Sequence, residues 1–235
     1  METMVKEAIQ REDFEQVDSG IILLSGGLDS AVTAWCAKEE CKKLYALSFD
    51  YGQTHIKEKN SAKLLADRLE TIEHKILKLP LSELGGSSLF NKDEIPSKGV
   101  LSGIPSTWVP QRNAVFLAIA FSWAEVVGAD RVYIGVNAVD YSGYPDCRPE
   151  FIKAYNRALN LASKQFVETG RGVSVSTPII DLTKKQIIEL GLRLGVPFEL
   201  TWSCYKGENR PCGVCDSCRI RLAAFKELGI VDPGL

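Results

Sequence analysis

The sequence predicts an α/β protein: an open, mostly parallel sheet of five strands with helices on both faces, followed by a small helical C-terminal segment. Three observations carry this. From Gly20 onward, short apolar runs alternate with stretches of helical periodicity at the spacing of crossovers between parallel strands. A glycine-rich turn directly follows the first run. Four of the seven cysteines crowd into residues 204–218, after the last strand-and-helix unit.

With 235 residues, 45% of them hydrophobic, the chain can bury one substantial core and a small appendage. We divide it into a polar N-terminal extension over 1–19, a main domain over 20–199 and a cysteine-bearing segment over 200–235. A formal charge of −2 lacks the broad basic footprint that holds nucleic-acid phosphates, so no direct nucleic-acid partner is expected. No apolar run approaches the roughly 18 residues of a membrane span, and no membrane partner is expected. "METMVKEAIQREDFEQVDSG" mixes acidic residues with no continuous apolar stretch, unlike a secretory signal, so the expected location is cytoplasmic. Structural disulfides are rare there, and the cysteines point instead to metal binding.

Each element follows from its pattern. "GIILLS", from Gly20, suits a buried parallel strand, and "SAVTAWCAKEEC" continues as a helix with Ala31, Ala34 and Trp35 inward and Lys38 and Glu39 outward. "KLYALSFD", "HIKEKNSAKLLADRL" and "IEHKILKL" read as strand, helix and strand, with "KEKNSAK" a solvated helix face and His74 a structural residue of the third strand. The rhythm lapses between Pro80 and Gln111, a length that in a compact domain is usually functional or mobile. "NAVFLAIAFSWAEVVG" is an apolar helix, "DRVYIGV" a fourth strand, and residues 149–169 one helix opened by Pro149. "VSVSTPI" is a short fifth strand. "TKKQIIELGLRLG" starts with Thr183 and Gln186 at capping-box spacing and stops at Gly195.

The turn "SGGLDS" excludes two common phosphate loops. A Walker A loop needs a Lys after its last Gly, and none is present; a dinucleotide fingerprint needs three glycines, and only Gly26 and Gly27 are present. The Ser25 and Ser30 hydroxyls, with the amides of Gly26, Gly27 and Leu28, can still surround a tetrahedral anion at a helix N-terminus. Asp29 would repel a bare phosphate, which points to Mg²⁺ or to a hydrogen-bonded turn beside the anion.

Other constellations sit at the carboxyl ends of strands, where open α/β sheets bind ligands. "FDYGQTH" follows the second strand. "GVNAVDYSGYPDCRPEF" follows the fourth and concentrates Asn137, Asp140, Tyr141, Ser142, Tyr144, Asp146 and Arg148, a density suited to a planar hydrogen-bonding heterocycle. "VPQRN" puts Arg112 before a helix, where its fork can pair with a carboxylate or phosphate; a surface arginine is the plainer alternative. Cys147 is a weaker candidate nucleophile, with no His near it in sequence. Two histidines leave little for a Ser-His-Asp machine. In "WSCYKGENRPCGVCDSC", Cys204, Cys212, Cys215 and Cys218 stand at C-x7-C-x2-C-x2-C spacing. Four thiolates so close can complete a tetrahedral shell for a structural Zn²⁺; an iron–sulfur cluster is the alternative occupant.

"SGGLDS" after an apolar strand resembles the PP-loop of the N-type ATP pyrophosphatases, of adenine nucleotide alpha hydrolase-like fold, which cleave ATP between its α and β phosphates and adenylate a substrate oxygen. Within that superfamily, "SGGLDS", "DYGQTH", "VPQRN", "DYSGYPDCRPEF", "WSCY" and "CGVCDSC" together resemble the 7-cyano-7-deazaguanine synthase family of the queuosine and archaeosine pathways, from Gly20 to about Leu228. Members commonly show Gly where Gln111 stands and Arg where Thr54 stands. The resemblance implies conversion of 7-carboxy-7-deazaguanine and ammonia to the nitrile, with ATP and Mg²⁺, one structural Zn²⁺ per chain, and a homodimer. It implies that Leu24, Ser25, Gly26, Gly27, Leu28, Asp29, Ser30 and Ala31 bind ATP, and that Asp29, Ser30 and Arg112 act in catalysis. Substrate contacts fall on Tyr51, Gln53, His55, Arg112, Asn113, Asn137, Asp140, Tyr141, Ser142, Tyr144, Asp146 and Arg148. Two other readings are a tRNA thiolase, which needs a basic face and a persulfide-accepting Cys, and the synthetase domain of a glutamine-dependent amidotransferase, which needs a glutaminase partner.

Overall fold

The computed structural model describes residues 15–52, 56–91, 103–137, 143–206 and 209–234. Five strands, β1 (Val17–Leu23), β2 (Cys41–Asp50), β3 (His74–Lys78), β4 (Arg131–Tyr133) and β5 (Ser174–Ser176), form one sheet in the order β3-β2-β1-β4-β5. Every pairing is parallel. The chain winds outward from β1 to β3, then returns to lay β4 on the other side of β1. The carboxyl end of β1 is therefore the switch point, where diverging crossovers leave a crevice.

The aliphatic run of β1 serves both faces of the sheet. Ile22 and Leu24 pack into one core with α1 (Leu28–Glu40), α2 (Ile56–Leu69) and α7 (Lys184–Leu194), through residues such as Ala31, Leu65 and Ile187. Ile21 and Leu23 pack into the other with α4 (Arg112–Val127) and α5 (Pro149–Leu161), through Leu117, Phe121 and Ile152. The Gly20–Leu23 stretch of β1, which has no solvent face, is apolar at every position. His74 sits on β3 with its Nε2 2.8 Å from Ser48 Oγ, and burial lowers its pKa, in keeping with a structural role.

The structure moves several boundaries. β1 starts at Val17, three residues before the expected Gly20, so the end of the polar extension belongs to the sheet: Ser19 pairs with Lys43 of β2. The single helix expected over 149–169 is two, α5 and α6 (Lys164–Thr169), because Ser163 turns its hydroxyl to the Phe166 amide and caps a new helix. The described part of Pro80–Gln111 contains α3 (Leu81–Leu84) and a 3₁₀ turn over Ser88–Phe90. α7 begins with the expected capping box of Thr183 and Gln186. The C-terminal segment adds a 3₁₀ turn over Phe198–Leu200 and α8 (Asp216–Glu227), whose Phe225 meets Phe198 edge-on at 5.5 Å. No described helix is long and apolar enough to cross a membrane.

Candidate active site

The turn after β1 is held by its own hydroxyls. Ser30 Oγ accepts from the Ser25 amide at 3.2 Å and donates to the Gly27 carbonyl at 3.0 Å, while Ser25 Oγ accepts from the Gly27 amide at 3.1 Å. Gly26 has φ +94°, and a Cβ there would run into the backbone of Glu58 and Ala62 on α2. Both features exclude a side chain. Gly26→Ala is expected to add about 1–3 kcal/mol of backbone strain besides the overlap, and so to lower the melting temperature by several degrees at least, read by thermal unfolding.

Asp29 is neutralised from far away in sequence. Lys184 Nζ lies 2.7 and 2.6 Å from its two oxygens, and Asn137 Nδ2 donates to Oδ2 at 3.0 Å. Gly135, after β4, completes the wall: a Cβ there would stand 3.0 Å from the Asp29 backbone. A lysine, absent from the loop itself, thus stands beside it as the first residue of α7. Asp29 takes its place as part of a hydrogen-bonded, charge-balanced turn.

The loop opens on a cleft of about 290 Å³ at the switch point. Opposite it stands an aromatic wall: Phe49 stacks on Phe116 with centroids 4.0 Å apart, and Tyr51 lies 5.5 Å from Phe116. Arg112, at the start of α4, sits over this wall and donates to Tyr51 Oη at 3.4 Å. Burial opposes its charge, but the facing Tyr51, Asp146 and Cys147 more than offset this and keep its pKa above the ordinary guanidinium value. A surface arginine is therefore not what the fold makes of Arg112. The preceding Gln111 has φ +57° and ψ +21°, a left-handed conformation that favours glycine. Gln111→Gly is expected to stabilise the fold by about 1 kcal/mol, raising the melting temperature by roughly 2–4 °C, as calorimetry would record.

The residues expected at the site distribute as follows. Leu24, Ser25, Gly27, Leu28, Asp29 and Ser30 line the cleft, with Gly26 and Ala31 packed behind the loop. Tyr51, Arg112, Asn113 and Tyr144 also line it, and Thr107 shares a 2.8 Å hydrogen bond with the Tyr144 hydroxyl. Asn137 is wholly buried behind Asp29. Asp146 is committed elsewhere: its carboxylate accepts from the Asn113 amide at 2.8 Å, capping α4, while burial raises its pKa. Arg148 is exposed at the start of α5. Gln53, His55, Asp140, Tyr141 and Ser142 lie outside the described residues.

The cleft also contains residues that sequence reasoning passed over. "KEKNSAK" is not a solvated face: Glu58 lines the cleft, Lys59 pairs with Asp50 at 2.7 Å, and Lys57 lies 4.9 Å from the Trp202 ring centroid. Lys184 did carry a signal, because a lysine in the first turn of a helix opposes the macrodipole and asks for an anion nearby. Glu58 and Phe116 carried none, and Trp202 only its place in "WSCY".

The cysteine segment closes one side of the cleft. The four sulfurs of Cys204, Cys212, Cys215 and Cys218 lie within 4.8 Å of one another, and four thiolates around one Zn²⁺ with bonds of about 2.3 Å stand roughly 3.8 Å apart. Cys204 Sγ accepts from the Lys206 and Cys212 amides, and Cys212 Sγ from the Cys215 amide, the outer hydrogen bonds that orient thiolate ligands. The Cys204 thiol is held well below its ordinary pKa, chiefly because the Cys215 and Cys218 thiols donate to it. These donors fit a single metal ion. The segment is tied to the loop through the Trp202 amide, which donates to the Gly26 carbonyl at 2.9 Å.

The model of the family described as queuosine biosynthesis protein QueC matches residues 19–229. The chain belongs to the QueC family. Within it, the 7-cyano-7-deazaguanine synthases of Trichodesmium erythraeum and Azotobacter vinelandii are 50% and 52% identical to this chain, each over 91% of it and over 98% and 96% of their own lengths. Among solved structures, an NMN synthetase from Francisella tularensis aligns with a TM-score of 0.48 at 17% identity, over 98% of this chain and 80% of that one. The span shared with QueC relatives takes in the loop, the aromatic wall, Lys184 and all four clustered cysteines.

Proposed function

We propose that this protein is a 7-cyano-7-deazaguanine synthase, converting 7-carboxy-7-deazaguanine and ammonia to the nitrile at the expense of ATP. One observation carries the reading: the anion loop, its Lys184 counter-charge, Arg112 and an aromatic wall share one cleft in a chain half identical to relatives bearing that name. A carboxylate is a poor electrophile, and adenylation turns one of its oxygens into a leaving group. In this reading the loop amides and the Ser25 and Ser30 hydroxyls hold the pyrophosphate, Lys184 offsets its charge beside Asp29, and ATP arrives with Mg²⁺. Arg112 pairs with the α-phosphate or the substrate carboxylate, and the deazaguanine ring lies against Phe116 and Tyr51. Ammonia displaces AMP to give the amide; a second adenylation of the amide oxygen and loss of AMP give the nitrile. The chain's task is positioning and charge stabilisation.

The cysteine cluster holds one structural Zn²⁺ in this account; its sulfur spacing supports a single ion over a four-iron cube, which holds its thiolates farther apart. Residues 20–199 form the catalytic body and residues 200–235 the metal-pinned wall. The enzyme works as a cytoplasmic homodimer on a small molecule, feeding queuosine or archaeosine synthesis. Incubation with ATP, ammonium and 7-carboxy-7-deazaguanine, followed by mass spectrometry, is expected to yield the nitrile. Thiolated or adenylated tRNA as the sole product would overturn the assignment.

A further inference from the structure

Glu58 has no task in the reading above, yet it lines the cleft beside the loop. Its helix begins beneath the loop, Ser25 hydrogen-bonds to its carboxylate, and its Oε1 lies 4.0 Å from where a Cβ on Gly27 would stand. The lysines beside it are engaged elsewhere: Lys57 donates to the Asn209 carbonyl and Lys59 to Asp50. The groups that act on it across the cleft are Arg112 from α4 and Tyr51 from the end of β2. Burial pushes the Glu58 carboxyl up to about 7, against the opposing pull of Arg112 and Ser25. Such a group exchanges a proton readily near neutral pH.

The other described carboxylates near the loop are committed. Asp29 is held by Lys184 and Asn137, and Asp146 caps α4. At neutral pH dissolved ammonia is almost wholly ammonium, which has no lone pair to attack an acyl adenylate. Building on the adenylation reading, we propose that Glu58 accepts a proton from an ammonium ion in the cleft and releases ammonia beside the adenylated carboxylate. Ammonium gives one proton to the Glu58 carboxylate, and the freed nitrogen lone pair forms the carbon–nitrogen bond. The carbon–oxygen bond to AMP breaks with its electron pair on the phosphate oxygen, which leaves with a second nitrogen proton. The products are the amide, AMP and protonated Glu58, which returns its proton to solvent.

The test separates nucleophile activation from adenylation. Wild-type protein is first assayed for ATP–pyrophosphate exchange dependent on 7-carboxy-7-deazaguanine; its absence would overturn the adenylation reading and this proposal with it. Glu58→Gln is expected to keep that exchange within about tenfold while losing 10²-fold or more in ammonia-dependent amide formation, the scale of general-base catalysis. Hydroxylamine, neutral at the same pH, needs no such deprotonation and is expected to restore acyl transfer to Glu58→Gln as the hydroxamate. Glu58→Asp, which keeps the charge, should retain more ammonia-dependent activity than Glu58→Gln. Undiminished ammonia use by Glu58→Gln, or a parallel loss of exchange and of hydroxamate formation, would show that Glu58 does something else.

Discussion

Lys184→Met is expected to lower adenylate formation, read as ATP–pyrophosphate exchange, by about 10²-fold. Lys184 and Asp29 make a close ion pair with side chains only 18% and 23% exposed. Without the ammonium, a bare carboxylate faces the pyrophosphate site. At a separation of about 5 Å and an effective dielectric near 20, one such repulsion amounts to roughly 3 kcal/mol, and each 1.4 kcal/mol is about tenfold in rate. The double variant Asp29→Asn/Lys184→Met removes both charges, and should recover a good part of the loss if the two residues act as a pair. Strict additivity of the two single losses would mean that Lys184 meets the phosphates alone and that its contact with Asp29 is incidental.

Cys215→Ser is expected to empty the cysteine cluster of metal and to lower the melting temperature by about 10 °C or more. Cys204, Cys215 and Cys218 are buried almost completely, so four thiolates there would need a bound cation to balance them. Around them Arg221 donates to both Asp232 oxygens, to Thr201 Oγ1 and to the Phe198 carbonyl, a buried network that borders the cysteine cluster. Structural zinc contributes on the order of 10 kcal/mol to small zinc domains. Loss of about a third of that, in a chain where 1 kcal/mol moves the midpoint by roughly 2–4 °C, gives the stated shift. ATP binding should weaken as well, because the Trp202 amide fastens this segment to the Gly26 carbonyl of the loop. Cys36→Ala is the control. Cys36 is buried in α1, where desolvation pushes its thiol up to about 12, and its loss should leave metal content unchanged by plasma mass spectrometry. An absorption band near 400 nm from the purified protein would assign the cluster to iron and sulfur instead.

What could be read from the sequence was what is contiguous in it. β1, the loop and the start of α1 occupy one stretch, so an apolar run emptying into "SGGLDS" carried its own geometry. The cysteine knuckle is equally local. The cleft walls are not: Glu58, Phe116, Lys184 and Trp202 come from four elements and meet only because α2, α4, α7 and the C-terminal segment converge on the end of β1. Residues with two possible neighbourhoods are the hardest to place. Asp146, expected to contact substrate, accepts from the Asn113 amide at the start of α4, whereas Glu58, expected on a solvated face, lines the cleft. The boundary errors have the same origin. "DRVYIGV" is largely apolar from Val132 onward, but β4 pairs as a strand over only three residues, with β1 as with β5. A break within 149–169 was signalled only by Ser163, one polar residue in a periodic stretch.

The central claim is that this cleft activates a carboxylate, and then the amide made from it, by adenylation. Substrate carrying ¹⁸O in both carboxylate oxygens, turned over with ATP and ammonia and followed by mass spectrometry of the nucleotide, tests it most directly. The account predicts two AMP for each nitrile formed, each AMP bearing one ¹⁸O. Label in inorganic phosphate with ADP as the nucleotide product, or unlabelled AMP, would contradict it.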